Sequence, residues 1–211
     1  MNNPWETIPL ADYEKHMSLD SVFQLQTLST TMKSALDRYP ANTLMILGVA
    51  GGNGLEHVDA SVFERVYGVD VNAEYLETCR CRYPDLAGTL ETICTDLSGE
   101  PIRLPQADLL LANLVIEYIG CDCFRKAILQ TAPRFVSCVI QADTDSSFIS
   151  DSPYQHVFDV LQSIHRTVDE NELNETMESI DYFAELREEK SLPNGKRLVR
   201  IDYKSTNIKL E

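Results

Sequence analysis

Between Leu19 and Leu36 apolar side chains recur close to every 3.6 positions, at Leu19, Val22, Phe23, Leu25, Leu28, Met32, Ala35 and Leu36. That is the spacing of an amphipathic helix. Tyr39-Pro40 ends it, because the residue before a proline avoids the α region. Residues 1–40 are therefore expected to form a helical amino-terminal extension, and residues 41–211 the main domain. From Thr43 the texture changes to short apolar runs, at 44–49, 66–71, 90–94, 107–112 and 135–142, that end at Gly, Asp or Asn. Most of the stretches between them are long enough for a crossover helix. Runs that are apolar on both faces suit a parallel sheet covered by helices on each side. Beyond residue 143 a polar segment, 144–152, stops at Pro153, and helical patterns follow at 154–165 and from Asp169, whose acidic first turn suits the positive end of a helix dipole. Tyr182, Ala184 and Leu186 alternate in one arm and Val199, Ile201 and Tyr203 in another, with Pro193-Asn194-Gly195 between them, which predicts a terminal hairpin.

Composition narrows the function classes. With 211 residues and 44% hydrophobic content, the chain supports one well-buried domain. Lys plus Arg number 18 and Asp plus Glu 33, a net charge of −15. Such a field repels phosphate backbones and anionic lipid, so neither nucleic acid nor membrane is an expected partner. The longest apolar stretch, 109–116, is broken by Asn113 and falls far short of the roughly 20 residues that span a bilayer. The start, Met1-Asn-Asn-Pro-Trp5, has no basic region followed by an apolar core, so a cytoplasmic protein is expected. The pairs Cys79/Cys81 and Cys121/Cys123 lack the Cys-x2-4-Cys spacing of structural zinc sites, and the histidines at 16, 57, 156 and 165 show no ligand spacing, so no metal is expected.

The stretch Leu47-Gly-Val-Ala-Gly-Gly-Asn-Gly-Leu-Glu-His57 carries the most information. A buried strand running into small residues and then a helix is how an α/β sheet lets its backbone approach a ligand. With Gly52 and Gly54 as the first pair of a dinucleotide Gly-x-Gly-x-x-Gly, His57 stands where the third glycine belongs, and no Gly-x4-Gly-Lys-Ser/Thr is present. The next strand ends in Asp70, followed by Val71, and an acid there can accept hydrogen bonds from both hydroxyls of a ribose. A third strand ends in Asp96-Leu97, and a fourth in Asn113, across the point where strand order reverses.

These segments resemble class I S-adenosylmethionine-dependent methyltransferases. Gly52 and Gly54 match the last two glycines of that family's first motif, Ala50 stands for the first, and Gly48 replaces its acidic residue. The resemblance implies a Rossmann-like α/β fold with a seven-stranded sheet in the order 3-2-1-4-5-7-6, its last strand antiparallel, and helices on both faces. It implies S-adenosyl-L-methionine as cofactor, cradled by Gly48, Val49, Ala50, Gly52 and Gly54, with Asp70 and Val71 at the ribose, Asp96 and Leu97 at the adenine, and Asn113 opposite. It implies methyl transfer to a small-molecule acceptor. Glu117 and Tyr118, one turn past Asn113, are candidate catalytic residues, a solvated helical Glu being the other reading of position 117. The amino-terminal helices are expected over the cleft as a lid, with Tyr13 a candidate cofactor contact and Trp5, His16 and Met17 nearby. At helical spacing the same residues also fit a buried stripe. A non-catalytic domain working through a protein partner is the alternative, and a monomer or a homodimer are both compatible with the sequence.

Overall fold

The computed structural model describes residues 3–99, 101–142 and 149–206, so most of the polar segment 144–152 lies outside the described residues. Seven strands form one sheet: β1 Thr43–Leu47, β2 Arg65–Asp70, β3 Leu90–Cys94, β4 Leu109–Asn113, β5 Phe135–Ala142, β6 Tyr182–Ser191 and β7 Arg197–Ser205. Their order is β3-β2-β1-β4-β5-β7-β6. The first five are mutually parallel, and β7 runs antiparallel to both β5 and β6. This is the order and polarity expected.

The two-residue period of each strand sorts its side chains to opposite layers. Met45 and Leu47 of β1, with Leu110 and Ala112 of β4, pack under α4 (Ile116–Thr131) and α5 (Glu170–Glu178). Leu44, Ile46, Leu109 and Leu111 face the other way, toward α2 (Gln24–Arg38) and α3 (Ala73–Arg82). Because β1 and β4 are covered on both sides, their runs are continuously apolar, whereas β3 at the sheet edge is partly exposed and mixes in Glu91 and Thr92. The edge strand β6 is mostly exposed and reads as alternating and charged.

Helix ends follow their capping chemistry. Asn72 accepts from the amides of Glu74 and Tyr75 to start α3, and Asp169 does the same from Asn171 and Glu172 for α5. In α1 (Leu10–Ser18) His16 and Met17 are buried, and a short 3-10 turn, Pro4–Thr7, precedes it.

Two local expectations are corrected, and one helix is irregular. No α-helix follows the glycine loop: a single 3-10 turn, Leu55–His57, stands there. Glu56 bends back to accept from the Gly54 amide at 2.8 Å, and Asp59 accepts from the Ser61 amide at 2.8 Å to open a new turn, so the chain is diverted before a helix can propagate. Residues Gln155–Ser163 are 3-10 rather than α. Finally, α4 is kinked at Gly120, whose φ of 79° and ψ of 160° are non-helical.

Candidate functional site

The site grows from the carboxyl ends of β1, β2, β3 and β4. After Leu47 the amides of Gly48 and Val49 both donate to the Val69 carbonyl, at 2.9 and 3.0 Å, which folds the loop back across β2. Gly48 (φ 69°) and Ala50 (φ 48°) both adopt left-handed backbone. A side chain at Gly48 would bring its Cβ to a tight 3.2 Å from Val115 on left-handed backbone, so the acid that the resemblance expects at this position would be strained here.

The loop is tied to Asp70. The Ala50 amide donates to Asp70 Oδ2 and the Asn72 amide to Oδ1, each at 2.9 Å. Asp70 is only 9% exposed, and burial raises its pKa against the pull of those amides. Each of its oxygens takes one backbone donor, leaving acceptor capacity on a wall that faces open space. Asp96, beyond β3, accepts from the Ser98 amide and hydroxyl on Oδ1 and from Asn3 Nδ2, at 3.1 Å, on Oδ2. Partial burial alone would raise the Asp96 pKa, and the Ser98 and Asn3 hydrogen bonds reverse it to a net lowering.

Asp70 and Asp96 line one cavity of about 640 Å³, counting the space at its mouth. Gly48, Ala50, Val71, Leu97 and Asn113 line the same cavity, as do Tyr13 and Tyr118. It lies at the topological switch point, where β1 pairs with β2 on one side and β4 on the other.

Other expected contacts fall elsewhere. Val49 packs in the core against Gly68, away from this cavity. Gly52 and Gly54 lie behind the loop: a Cβ at Gly52 would meet Tyr83 and Cys79, and one at Gly54 would meet Met32. Their bareness lets the loop press against α3 and α2. Glu117 is not a solvated helical residue but is 3% exposed, and its Oε1 accepts from the Gln141 amide at 2.8 Å.

Asn3 was not anticipated, although Asn3-Pro-Trp-Glu6 is a capping box readable in the sequence. Its amide reaches Asp96 across 93 residues, a contact that no local pattern encodes. Trp5 follows, its carbonyl accepting from Asn72 Nδ2 at 3.0 Å and its ring meeting Tyr13 and Tyr118 edge to face. Burial, aided by nearby carboxylates, drives the hydroxyl pKa of Tyr13 and of Tyr118 far above the usual phenol value, so both stay protonated as donors.

Trp5, Tyr13, Leu114 and Tyr118 also border a second cavity of about 520 Å³. Its far wall includes His16, Met17, Gln24, Glu117, Gln141 and Phe158. Burial first, and the charge of Lys196 second, lower the His16 pKa to about 4. The imidazole is neutral, with Nδ1 2.7 Å from Ser152 Oγ.

Sheet order, strand polarity and the cavity at the reversal define the Rossmann-like fold of class I S-adenosylmethionine-dependent methyltransferases. Solved structures agree at the level of the fold. The chain is similar to magnesium protoporphyrin IX methyltransferase from Synechocystis PCC 6803, solved with bound SAH, at 10% identity and TM-score 0.64 over 86% of this chain and 83% of that one. It is similar to geranyl diphosphate C-methyltransferase from Streptomyces coelicolor A3(2), complexed with S-adenosyl-L-homocysteine, at 12% identity and TM-score 0.65 over 88% and 84% of the two chains. The 4+2 cyclase SpnF shares the architecture at 10% identity and TM-score 0.63 over 85% of this chain and 80% of that one. No family model and no curated protein matches the sequence. Among the described residues no helix is long and apolar enough to cross a membrane, and no group of three or more His, Cys, Asp or Glu side chains could hold a metal.

Proposed function

We propose that the protein is an S-adenosylmethionine-dependent methyltransferase acting on a small-molecule acceptor. The observation that carries this reading is the convergence of Asp70, Asp96 and the Gly48–Ala50 backbone on one cavity at the strand-order reversal. A cyclase shares the fold, so the reading rests on the site rather than on architecture alone.

The donor set fits the cofactor. Asp70, held by two amides, has acceptor capacity left for a ribose diol, and Asp96 with the Leu97 amide suits the amino and ring nitrogens of adenine. Asn3 already gives Asp96 a bond of the type an adenine amino group makes, so it either shares the carboxylate with the ligand or yields to it. The amino-acid end of the ligand meets backbone at Gly48, with no carboxylate from that position. When bound, the cofactor supplies an activated methyl group on a sulfonium. The chain's own contribution is to bind, orient and exclude water. Trp5, Tyr13 and Tyr118 line both the cofactor cavity and the adjoining second one, where the acceptor would enter.

Titration calorimetry with S-adenosylhomocysteine tests the reading. Wild type is expected to bind, and Asp70→Ala to bind at least about tenfold more weakly, a loss of about 1.4 kcal/mol or more. Since Asp70 also anchors the loop, circular dichroism of the variant accompanies the titration. Equal affinity in a folded Asp70→Ala removes Asp70 from the site, and no binding by wild type removes the cofactor assignment. A domain that bound cofactor but worked through a partner would transfer no label from methyl-labelled cofactor to any component of a cell extract.

A further inference from the structure

The second cavity has a chemical character of its own. Trp5, Tyr13, Tyr118 and Phe158 give it four aromatic lining residues, and α1 and the end of β5 contribute to its sides. Among the described lining residues the one carboxylate is that of Glu117, at 3% exposure and with its Oε1 held by the Gln141 amide, beside the polar side chains of His16, Gln24, Gln141 and His165. Gln24 Nε2 donates to Gln141 Oε1 at 2.7 Å, so the floor beside the carboxylate is hydrogen-bonded and rigid. Tyr118 meets His165 edge to face at 5.6 Å, and His16 packs on Phe158 at 4.8 Å. Among the described residues that line the cavity none is Lys or Arg.

A pocket with a buried carboxylate and ring faces, and with no Lys or Arg among its described lining residues although the Lys196 charge reaches His16, favours a cationic guest over an anionic one at the Glu117 end. Carboxylate attraction strengthens as water is excluded, and ring quadrupoles add cation–π attraction on the remaining sides.

We propose that this cavity is the acceptor site and that it takes a compact aromatic amine, with the ammonium group at Glu117 and the ring between Tyr118 and Phe158. Only the word acceptor rests on the methyltransferase reading, through the wall shared with the first cavity. The preference for an aromatic amine rests on the second cavity alone.

The test uses the full chain and three probes of matched shape: 2-phenylethylamine, 2-phenylethanol and 3-phenylpropionate, titrated with and without S-adenosylhomocysteine. The amine is expected to bind at least tenfold more tightly than the alcohol or the acid. Glu117→Gln is expected to bring amine affinity down to that of the alcohol while leaving alcohol affinity unchanged. If Glu117→Gln does not fold, Phe158→Ala serves as the second variant, with an expected amine loss of about fivefold or more. The proposal is overturned if the alcohol or acid binds as tightly as the amine, if no probe binds, or if amine affinity is unchanged in whichever variant folds. Failure of S-adenosylhomocysteine to bind, with the amine preference intact, overturns the methyltransferase reading and leaves the amine site standing.

Discussion

Ala50 holds a left-handed backbone at φ 48° while its amide is committed to Asp70. An L-residue pays about 1–2 kcal/mol there through the contact of its Cβ with the backbone, and glycine would not. Replacing it also enlarges the unfolded ensemble, an opposing term of about 0.4–1 kcal/mol. Ala50→Gly is therefore expected to raise stability by about 0.5–1 kcal/mol, read as an upward shift of the urea midpoint at unchanged slope. A downward shift would mean that the Ala50 methyl makes packing contacts worth more than the strain. The same loop explains what was and was not legible at this scale. Asp70 and Asp96 announce themselves because an acid at the end of an apolar run is a local pattern. The backs of Gly52 and Gly54, by contrast, are filled by Tyr83 and Met32, which arrive from helices 31 residues later and 22 residues earlier (83 − 52 and 54 − 32).

One buried ion pair ties the last strand to the layer of α2. Arg200 and Asp202 alternate onto the same face of β7, the guanidinium reaching Asp202 with Nε at 2.7 Å and Nη2 at 2.6 Å. Arg200 Nη1 donates to Ser34 Oγ on α2, and the Tyr39 hydroxyl donates to Asp202 Oδ2 at 2.8 Å. At 3% and 0% exposure, neither charge has water to fall back on. Arg200→Ala is expected to cost about 3–5 kcal/mol by stranding the carboxylate, whereas Arg200→Met with Asp202→Leu is expected to cost far less. Chemical denaturation of both variants checks this, and equal losses would show that the pair itself holds the strand. Strand alternation made β6, β7 and the turn between them readable. The kink in α4 was hidden because an isolated Gly120 in a helical pattern is usually tolerated, and here the chain breaks at it, with Arg166 against the position a Cβ would take. The 3-10 turn at Leu55–His57 was hidden because Glu56 folds onto the loop that precedes it.

Across the whole molecule the succession of apolar runs made a helix-covered parallel sheet legible, whereas the strand order came only with the resemblance to a known family. Acids outnumber bases 33 to 18. Part of the excess lies on the edge strand β6, where Glu185, Glu188 and Glu189 with Arg187 and Lys190 oppose pairing with another sheet edge. The amino-terminal segment is the part whose role depends least on local pattern. Its Asn3 and Trp5 find partners at Asp96 and Asn72, and it thereby closes a cleft built by residues far along the chain.

Trp5, Tyr13, Leu114 and Tyr118 form a party wall, each touching both chambers. Whatever shifts that wall from one side is felt on the other, and thermodynamic linkage makes the influence mutual. If S-adenosylhomocysteine in the first chamber alters the dissociation constant of 2-phenylethylamine by some factor, the amine must alter that of S-adenosylhomocysteine by the same factor. Calorimetry on the four legs of that square should close, with a factor measurably different from one; a factor of one would mean that the wall stands still.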